Sequence, residues 1–456
     1  MPDAPSTIDV PPVAKELGAR FAEAAQELFL VGGSVRDILQ GRPSPDLDFA
    51  TSAHPTETTR LLRGWADRKY LVGVKFGTVG ALKDGVRVEI TTFRKEVYAQ
   101  EHRKPAVTFG DDIFVDLSRR DFTINAMAVR LPDGEFVDPY GGLKALSAGV
   151  LDTPLDPETS FSDDPLRMIR AARFVAQLGV RPAERVVSAM SDMAERLEIV
   201  SAERIRDEVD KLLVGDHAPA GLELLVDTGL ADRFMPELSA LSLEQDPVHR
   251  HKDVLRHTYA VVDRCEHDGV LRLAALLHDV GKPATRKITP EGVTFHHHEV
   301  EGARIARARL TELRYPKSVI DDVCTLIELH LRFHGYGDDA WSDAAVRRFV
   351  RDAGPLLDRL NQLTRADVTT RNEKRAQAFA KLQDELEERI AALAEQENLE
   401  AMRPPLDGKQ VMEILGLQPG PEIGEALAYL MDVRLERGPI PQDEAIGLLR
   451  AWAAER

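Results

Sequence analysis

Leu28-Phe29-Leu30-Val31-Gly32-Gly33-Ser34-Val35-Arg36-Asp37, followed shortly by Asp46-Leu47-Asp48-Phe49-Ala50, is the stretch on which the fold of this chain turns. The apolar run from Leu28 to Val31 predicts a buried strand, and the glycine pair lets the backbone turn sharply and approach a ligand closely. Helix-forming residues from Val35 to Gln40 follow at once. A helix that starts on a glycine turn presents unpaired N–H donors and a partial positive charge, which suits phosphate, and Arg36 adds a full charge. The next strand, Asp46 to Ala50, supplies acid. Side chains alternate along a strand, so Asp46 and Asp48 leave the same face about 7 Å apart at the backbone and can converge on hard cations. An Asp-x-Asp pair also occurs in ordinary solvated loops. It is the order of strand, glycine turn, helix and acidic strand within some twenty residues that points to a metal and triphosphate site.

A third carboxylate lies in Val86-Arg87-Val88-Glu89-Ile90-Thr91-Thr92-Phe93. Strict alternation turns Val86, Val88 and Ile90 inward and puts Arg87, Glu89 and Thr91 on the other face. Glu89 can therefore join the two aspartates, or pair with a neighbouring cation on a solvated strand.

At 456 residues the chain has length for two to four domains. No segment approaches the ~20 apolar residues of a membrane span, and Met1 to Lys15 lacks the basic start and apolar run of a secretion signal. Cys265 and Cys324 are the only cysteines. They are too few for a disulfide framework or a thiolate zinc site, and a reducing cytoplasm is the expected compartment. A formal net charge of −17 argues against a generally basic nucleic-acid binder, so RNA contact must come from a local basic surface.

The pattern predicts an α+β, mostly α, chain. Short alternating strands (Thr78 to Lys83, Arg87 to Phe93, Glu135 to Asp138) mix with short helices up to about residue 151, forming a small mixed β-sheet. Beyond it, helices are expected over Asp164 to Leu178, stopping at Gly179, over Ala183 to Leu197 and over Glu203 to Leu213. A histidine-rich helical block spans roughly 246 to 370. Phe379, Leu382, Leu386, Ile390 and Leu393 then recur at spacings of three and four, as in one long helix, before Pro404-Pro405 breaks it. The division expected is 1–27 extension, 28–151 head, 152–245 helical neck, 246–370 histidine block and 371–456 helical body and tail. Lys95 to Asp116, with Arg103-Lys104-Pro105, reads as a mobile polar loop beside the site.

Two further clusters carry chemistry. In Ser118-Arg119-Arg120-Asp121-Phe122-Thr123-Ile124-Asn125, two arginines beside Asp121, with Asn125 four residues on, can contact a triphosphate and a sugar hydroxyl; they also suit a surface ion pair and a cap. In Asp163-Asp164-Pro165-Leu166-Arg167-Met168-Ile169-Arg170, Asp164 before proline is a good helix N-cap. That does not explain Arg167 and Arg170, because cations at a helix N-terminus oppose its dipole. Asp164 and Arg167 at i and i+3 form an acceptor beside a fork of donors. Cytosine and adenine both offer an amino donor next to a ring-nitrogen acceptor; uracil and guanine offer a carbonyl next to an N–H. The pair therefore fits C and A and rejects U and G.

Gly-Gly-x-Val-Arg-Asp, Asp46-Leu47-Asp48, Arg119 to Asn125, Asp138-Pro139-Tyr140-Gly141-Gly142, Asp163 to Arg167 and Ser201-Ala202-Glu203-Arg204-Ile205-Arg206 occur in the order seen in bacterial class II tRNA nucleotidyltransferases. The chain resembles this CCA-adding enzyme and poly(A) polymerase family over about residues 28 to 245. The resemblance implies a nucleotidyltransferase head, then a helical neck, body and tail that hold tRNA. It implies Mg2+ on Asp46 and Asp48, with Glu89 as third carboxylate. Gly32, Gly33, Arg36, Arg120, Asp121, Arg167 and Arg170 would hold the triphosphate or base, Asn125 the sugar, and Asp164 with Arg167 the base edge. Asp163 departs from the family pattern, which usually has Glu there to brace Arg167.

Leu276-Leu277-His278-Asp279-Val280-Gly281-Lys282, with His257 upstream and His298, His330 and Asp367 downstream, resembles the HD phosphohydrolase superfamily over about residues 250 to 370. By that resemblance His257, His278, Asp279 and Asp367 ligate a metal, Mg2+ or a divalent transition metal. His298 and His330 would serve a second metal or a phosphate. His296 and His297 read as loop residues, and His334 is unassigned.

The activity expected is addition of CMP, CMP and AMP from CTP and ATP to the 3′ end of tRNA, with accessory phosphohydrolysis in the histidine block. Neither a membrane nor an obligate protein partner is expected. Poly(A) synthesis from ATP alone shares the head motifs, but Val72-Gly73-Val74-Lys75-Phe76-Gly77-Thr78-Val79 looks more like the CCA-adding segment. A phosphohydrolase with a merely nucleotide-binding head is the other alternative, opposed by the intact Asp46 and Asp48. Pure RNA binding is disfavoured by two separate sets of metal ligands and the net negative charge.

Overall fold

The computed structural model describes residues 5–42, 46–71, 73–97, 106–110, 112–242, 253–289, 292–333, 341–368, 372–397 and 402–456. Arg103-Lys104-Pro105 and His334 lie outside the described residues. The chain forms two compact units, residues 1–234 and 235–456.

The first unit begins with α1 (Pro12–Glu23), β1 (Leu28–Val31), α2 (Gly33–Leu39), β2 (Asp46–Thr51), α3 (Pro55–Leu61), β3 (Arg68–Tyr70), β4 (Thr78–Lys83) and β5 (Val86–Thr92). It continues with β6 (Arg94–Val97), β7 (Ala106–Phe109), α4 (Ile113–Ser118), β8 (Ala128–Leu131), β9 (Phe136–Val137) and α5 (Gly142–Ala148). Seven strands make one sheet in the order β3-β4-β5-β2-β1-β8-β9. It is mixed: β2 and β5 run parallel, while β1 is antiparallel to both β2 and β8.

The two faces of this sheet are treated differently. Leu28, Leu30, Leu47, Phe49, Val79, Ala81, Val88, Ile90, Val129 and Leu131 cover one face and are buried with Leu17 and Phe21 of α1. The other face is sealed only over β1, β8 and the end of β2, where Phe29, Val31, Ala50 and Ala128 pack with Phe93, Ile113 and Leu117. Alternation therefore leaves the starts of β2 and β5 open on that face, and β2 shows exposed Asp46 and Asp48 on either side of buried Leu47. Val88 and Ile90 are buried and Val86 half-buried, as the period of two requires.

Lys95 to Asp116 is not one loop. β6 and β7 pair antiparallel, from Arg94 opposite Phe109 to Val97 opposite Ala106, and α4 follows. The polar composition concealed both because neither strand shows apolar alternation. Met193 ends the helix expected over Ala183 to Leu197, which is an α-helix over Glu184–Asp192 and then a tighter 3-10 turn over Ala194–Ile199.

The neck comprises β10 (Val150–Leu151), α6 (Pro157–Asp163), α7 (Leu166–Leu178), β11 (Arg181–Pro182), α8 (Glu184–Asp192), α9 (Ala202–Leu213), α10 (Ala218–Asp227) and α11 (Ala231–Phe234). Gly179 closes α7 in the left-handed conformation, φ 65°, as its position predicted. Helices α7 and α10 meet at Gly221, where a β-carbon would lie 2.6 Å from the Ala172 carbonyl.

Among the described residues the second unit is helical apart from the short antiparallel pair β12 (Lys287–Thr289) and β13 (Gly292–Thr294). Its helices are α12 (Pro236–Ser239), α13 (Val254–Arg264), α14 (Gly269–Leu277), α15 (Lys282–Thr285), α16 (His298–Glu312), α17 (Lys317–Leu329), α18 (Asp343–Ala353) and α19 (Leu357–Asp367). The expected long helix is α20 (Glu373–Glu397), with Leu386 and Leu393 buried. Leu406, Val411, Ala426, Leu430, Ala445 and Leu449 form a separate small core under α21 (Gly408–Leu415), α22 (Pro421–Arg437) and α23 (Gln442–Ala454). Among the described residues no helix is long and apolar enough to cross a membrane.

Gly142 opens α5 against the turn that carries Asn125. A β-carbon there would sit 2.2 Å from the Thr123 carbonyl oxygen and 2.7 Å from Met127 Cγ. Gly142→Ala is expected to destabilise the head by about 1–3 kcal/mol through overpacking. Chemical denaturation of the variant, with an unchanged midpoint as the contrary result, checks this.

Candidate active site

The open sheet face is the floor of the site. In the parallel β2–β5 pair, Asp48 stands directly beside Glu89 and Asp46 beside Arg87. Directly opposed residues share a face, so the three carboxylates expected from the sequence lie together. The strand is held from behind by Ser34. Its hydroxyl accepts from the Asp48 backbone N–H at 3.0 Å and donates to the Asp46 carbonyl at 3.2 Å, with the residue only 2 % exposed. The glycine turn thus carries an anchor for the acidic strand as well as room for phosphate.

Burial in the cavity wall pushes the Asp48 carboxyl above its ordinary range; Arg120 opposes this, while Glu89 and Asp46 add repulsion. Arg87 meets Glu89 at 3.3 Å in an exposed pair, as on a solvated strand, and Glu89 also stands beside Asp48. Packed oxygen donors whose charge is disfavoured by burial and by mutual repulsion suit a divalent cation.

Asp48, Glu89, Thr91, Arg94, Asp116, Arg119, Arg120, Asp121, Asp164, Arg167, Arg170 and Arg204 line one cavity of about 350 Å³ with Val31, Phe49 and Leu166. Opposite the acids, Asp116 organises two arginines. It is 1 % exposed and accepts from Arg119 at 3.0 Å, Arg120 at 3.1 Å and the Arg94 backbone N–H at 3.3 Å. Burial raises its pKa, but the two guanidinium groups overcome this and hold it low. Asp116 is missing from the expected set, although its spacing of three and four from Arg119 and Arg120 was a readable signal. The Arg120 Nε is buried without an acceptor, a donor available to a bound anion.

Arg170 joins α7 to this turn. Asp121 takes both its Nε and Nη2, and also accepts from Asn125 Nδ2 at 3.0 Å and the Phe122 N–H at 2.8 Å. Burial alone would raise the Asp121 carboxyl, yet Arg170 and these hydrogen bonds bring it down to about 2. Glu208 on α9 receives Arg170 at 3.4 Å and Arg173 at 2.9 Å. Burial, reinforced by Arg170, pushes Arg173 down to about 10.

Asp164 stands at the start of α7 and takes two donors. One carboxylate oxygen accepts from the Leu166 N–H at 3.2 Å, capping α7, and the other receives Arg204 at 2.6 Å. Arg167 donates to Ser160 Oγ at 2.8 Å, to the Ser160 carbonyl at 3.2 Å and to the Arg119 carbonyl. Arg36 differs from expectation. Its guanidinium is held by Asp37 at 2.8 and 2.9 Å and by Asn125 Oδ1 at 2.9 Å, and it borders a second cavity with Arg42, Gln177 and Asp216. Gly32, Gly33, Arg36, Asn125 and Asp46 are not among the residues lining the main cavity. Arg36 and Asn125 are instead joined to each other by a hydrogen bond.

The second unit holds a separate set. His257, His278 and Asp367 bring one ligand atom each within 4.8 Å of one another, and so do Asp279, His298 and His330. Asp279 joins the groups: its Oδ2 lies 3.2 Å from His278 Nε2 and 3.5 Å from His257 Nε2, its Oδ1 3.4 Å from His298 Nε2. The Nδ1 atoms of His278, His298 and His330 meet the carbonyls of Ala275, Phe295 and Ile327, each three residues earlier, at 2.8, 2.8 and 2.6 Å. Those carbonyls fix the tautomer and turn each Nε2 inward. The His298 Nε2 is buried without a hydrogen-bond partner. Burial would lower the His278 pKa, but Asp279 and Asp367 lift it to about 10; burial and His278 press His330 down to about 4. A pocket that keeps a proton to balance two carboxylates fits a divalent cation in its place.

The family model for the poly A polymerase head domain matches residues 28–152, that for the probable RNA and SrmB-binding site of polymerase A residues 179–241, and that for the HD domain residues 254–372. An A-adding tRNA nucleotidyltransferase of Deinococcus radiodurans is 35 % identical over 443 residues, covering 93 % of this chain and 95 % of that protein. The chain belongs to the CCA-adding enzyme and poly(A) polymerase family. A CCA-adding enzyme of Anoxybacillus flavithermus is 42 % identical over 214 residues, which is 47 % of this chain and 52 % of the relative. The chain thus spans about half the length of such curated CCA-adding enzymes. The crystal structure of the Bacillus stearothermophilus CCA-adding enzyme in complex with CTP superposes with a TM-score of 0.70 at 25 % identity, covering 98 % of this chain and 99 % of that one. A head of this family and an HD domain both imply dependence on divalent metal.

Two outcomes are expected. The Asp121 carboxyl is held near 2, below the ~3.9 of an unfolded chain, so its stabilisation is full above about pH 4 and fades as pH falls toward 2. Asp121→Asn should cost roughly 2 kcal/mol at pH 7, with the gap to wild type closing between pH 4 and 2. A gap constant across that range in denaturation experiments refutes the ion-pair account. In the second unit, calorimetric titration with Mn2+ should find two sites, with His257→Ala and His330→Ala each losing one; a single site unaffected by His330→Ala contradicts the paired grouping.

Proposed function

We propose that this protein extends the 3′ end of tRNA without a template, adding CMP, CMP and AMP from CTP and ATP and releasing pyrophosphate. The observation that carries this is the Asp48–Glu89 pair on an open sheet face, set across one cavity from arginines of the turn after α4, of α7 and of α9. In this reading Asp46, Asp48 and Glu89 hold Mg2+. Bound there, the cations lower the pKa of the RNA 3′-hydroxyl and neutralise the leaving pyrophosphate. Arg119, Arg120 and Arg170 cradle the triphosphate so that the α-phosphorus faces the hydroxyl oxygen. The new P–O bond forms as the bond to the β-phosphate oxygen breaks, and the hydroxyl gives up its proton, so no covalent enzyme intermediate is required. Asp164 and Arg167 supply an acceptor beside donors that matches the shared edge of C and A. Gly32 and Gly33 give the turn its close approach, while Arg36 and Asn125 are hydrogen-bonded to each other.

The division into head (28–151), neck (152–245), HD domain (246–370) and body with tail (371–456) goes with this reading. In the HD domain, His257, His278, Asp279 and Asp367 with His298 and His330 would hold divalent metal and hydrolyse phosphoesters. Two buried, unpaired thiols, Cys265 and Cys324, suit the cytoplasm. A-addition alone is a second reading, favoured by the name of the Deinococcus relative, which matches over nearly its whole length.

Labelled CTP and ATP, offered separately and together to tRNA ending before CCA and to tRNA ending in CC, separate these readings. CCA addition requires CTP before ATP on the first substrate. An A-adding enzyme extends only the second, and poly(A) synthesis uses ATP repeatedly on either. Asp46→Ala and Asp48→Ala should each abolish incorporation while tRNA binding persists; an active Asp46→Ala enzyme refutes the assignment. Exchanging Asp164 and Arg167 should admit UTP and GTP, and continued exclusion of both refutes the base-edge argument.

A further inference from the structure

The open sheet face does not end at the carboxylates. Register carries the row onward: Asp48 opposes Glu89, Glu89 opposes Gly80 of β4, and Gly80 opposes Tyr70 of the edge strand β3. Opposed residues share a face, so the four lie in one line across it, about 14 Å from Asp48 to Tyr70 at a strand spacing near 4.8 Å. Gly80 keeps that line low, and Tyr70 leans over it: a β-carbon on Gly80 would meet Tyr70 Cβ at 3.3 Å and Cδ2 at 3.6 Å. The ring is 43 % exposed, on a strand with every residue exposed.

The parallel row beside it reads Asp46, Arg87, Leu82 and Arg68 by the same pairings. Two exposed guanidinium groups therefore flank the aromatic row on a chain whose net charge is −17. A second aromatic, Phe76, is 63 % exposed in the turn before β4, and its carbonyl accepts from Arg94, which lines the cavity. Large exposed rings beside cations are what a single nucleic-acid strand requires, since bases stack on rings and phosphates follow the positive charge.

We propose that the row Asp48–Glu89–Gly80–Tyr70 is the track along which the single-stranded 3′ end of the accepting RNA enters, with Tyr70 stacking on a base near the reacting hydroxyl and Arg68 and Arg87 holding its phosphates. This rests on the nucleotidyl-transfer reading above and names the surface that presents the second substrate. The nucleoside triphosphate occupies the opposite, arginine-lined side of the same carboxylates, so the two substrates meet at Asp48.

The test uses the whole protein and an acceptor-stem RNA ending before CCA, with 2-aminopurine as its last base. Binding should quench the probe in wild type and Tyr70→Phe, and the quenching should be lost in Tyr70→Ala. Loss of one base stack corresponds to an increase on the order of 10-fold in KM for the RNA, with KM for CTP unchanged. Gly80→Val, which fills the row, should raise the same KM, and Arg68→Ala with Arg87→Ala should flatten its salt dependence. Undiminished quenching and an unchanged RNA KM in Tyr70→Ala overturn the inference, as does an equal rise in KM for CTP. A wild-type protein that adds no nucleotide overturns the catalytic reading instead; the quenching, which needs no chemistry, still decides the role of the sheet face.

Discussion

Repulsion between carboxylates that the sheet holds in register is the constraint from which the head is built. Asp48 and Glu89 cannot move apart, because their neighbours Leu47, Phe49, Val88 and Ile90 are locked in the core on the other face. Their negative charge is met by Arg87 of β5 at Glu89 and by Arg120, of the turn after α4, at Asp48, with further arginines of that turn and of α7 across the cavity. Those arginines are long and would lose much side-chain entropy if ordered only by ligand. Buried acids order them first: Asp116 for Arg119 and Arg120, Asp121 for Arg170, and Glu208 for Arg170 and Arg173. The result is alternating charge running from the sheet into the neck helices. Breaking any one buried pair strands a charge, which costs far more than the pair itself contributes.

What the sequence revealed of this arrangement depended on range. The glycine turn, the Asp-x-Asp strand and the alternation around Glu89 are local patterns, and each element lies where its period predicts. Arg36 was assigned to phosphate because a cation at a helix start suggests it. Its partner Asn125 is 89 positions away, and nothing local shows that the two occupy each other. Nothing local singles out Ser34, yet its hydroxyl pins a strand 12 to 14 residues on. The β6–β7 pairing is carried by backbone hydrogen bonds, which leave no trace in the side-chain pattern.

The HD site shows the same division. Its ligand types were readable from a short motif and scattered histidines, and the resemblance already set His298 with His330. Five helices contribute, and packing places Asp279 with that pair as well as beside His278. The carbonyl three residues before each of His278, His298 and His330 is a local feature of helix ends and turns, so the tautomer is fixed by backbone geometry before any metal arrives. Asp279 then connects both groups because its two oxygens face opposite ways.

The proposed base edge rests on a count of donors and acceptors. Arg167 has five N–H donors; two go to Ser160 and one to the Arg119 carbonyl, which leaves two. Each Asp164 oxygen spends one lone pair, on the Leu166 N–H and on Arg204, and keeps another. The edge therefore retains both donors and acceptors while its two side chains are already anchored to the neck and the head. A mobile Arg–Asp pair could rotate to satisfy any base. An anchored pair cannot exchange its donor and acceptor positions, so a carbonyl facing Asp164 or an N–H facing Arg167 leaves a desolvated polar group without a partner. In the proposed function, that penalty, about 1–3 kcal/mol per group, would give exclusion of U and G a physical source independent of any template.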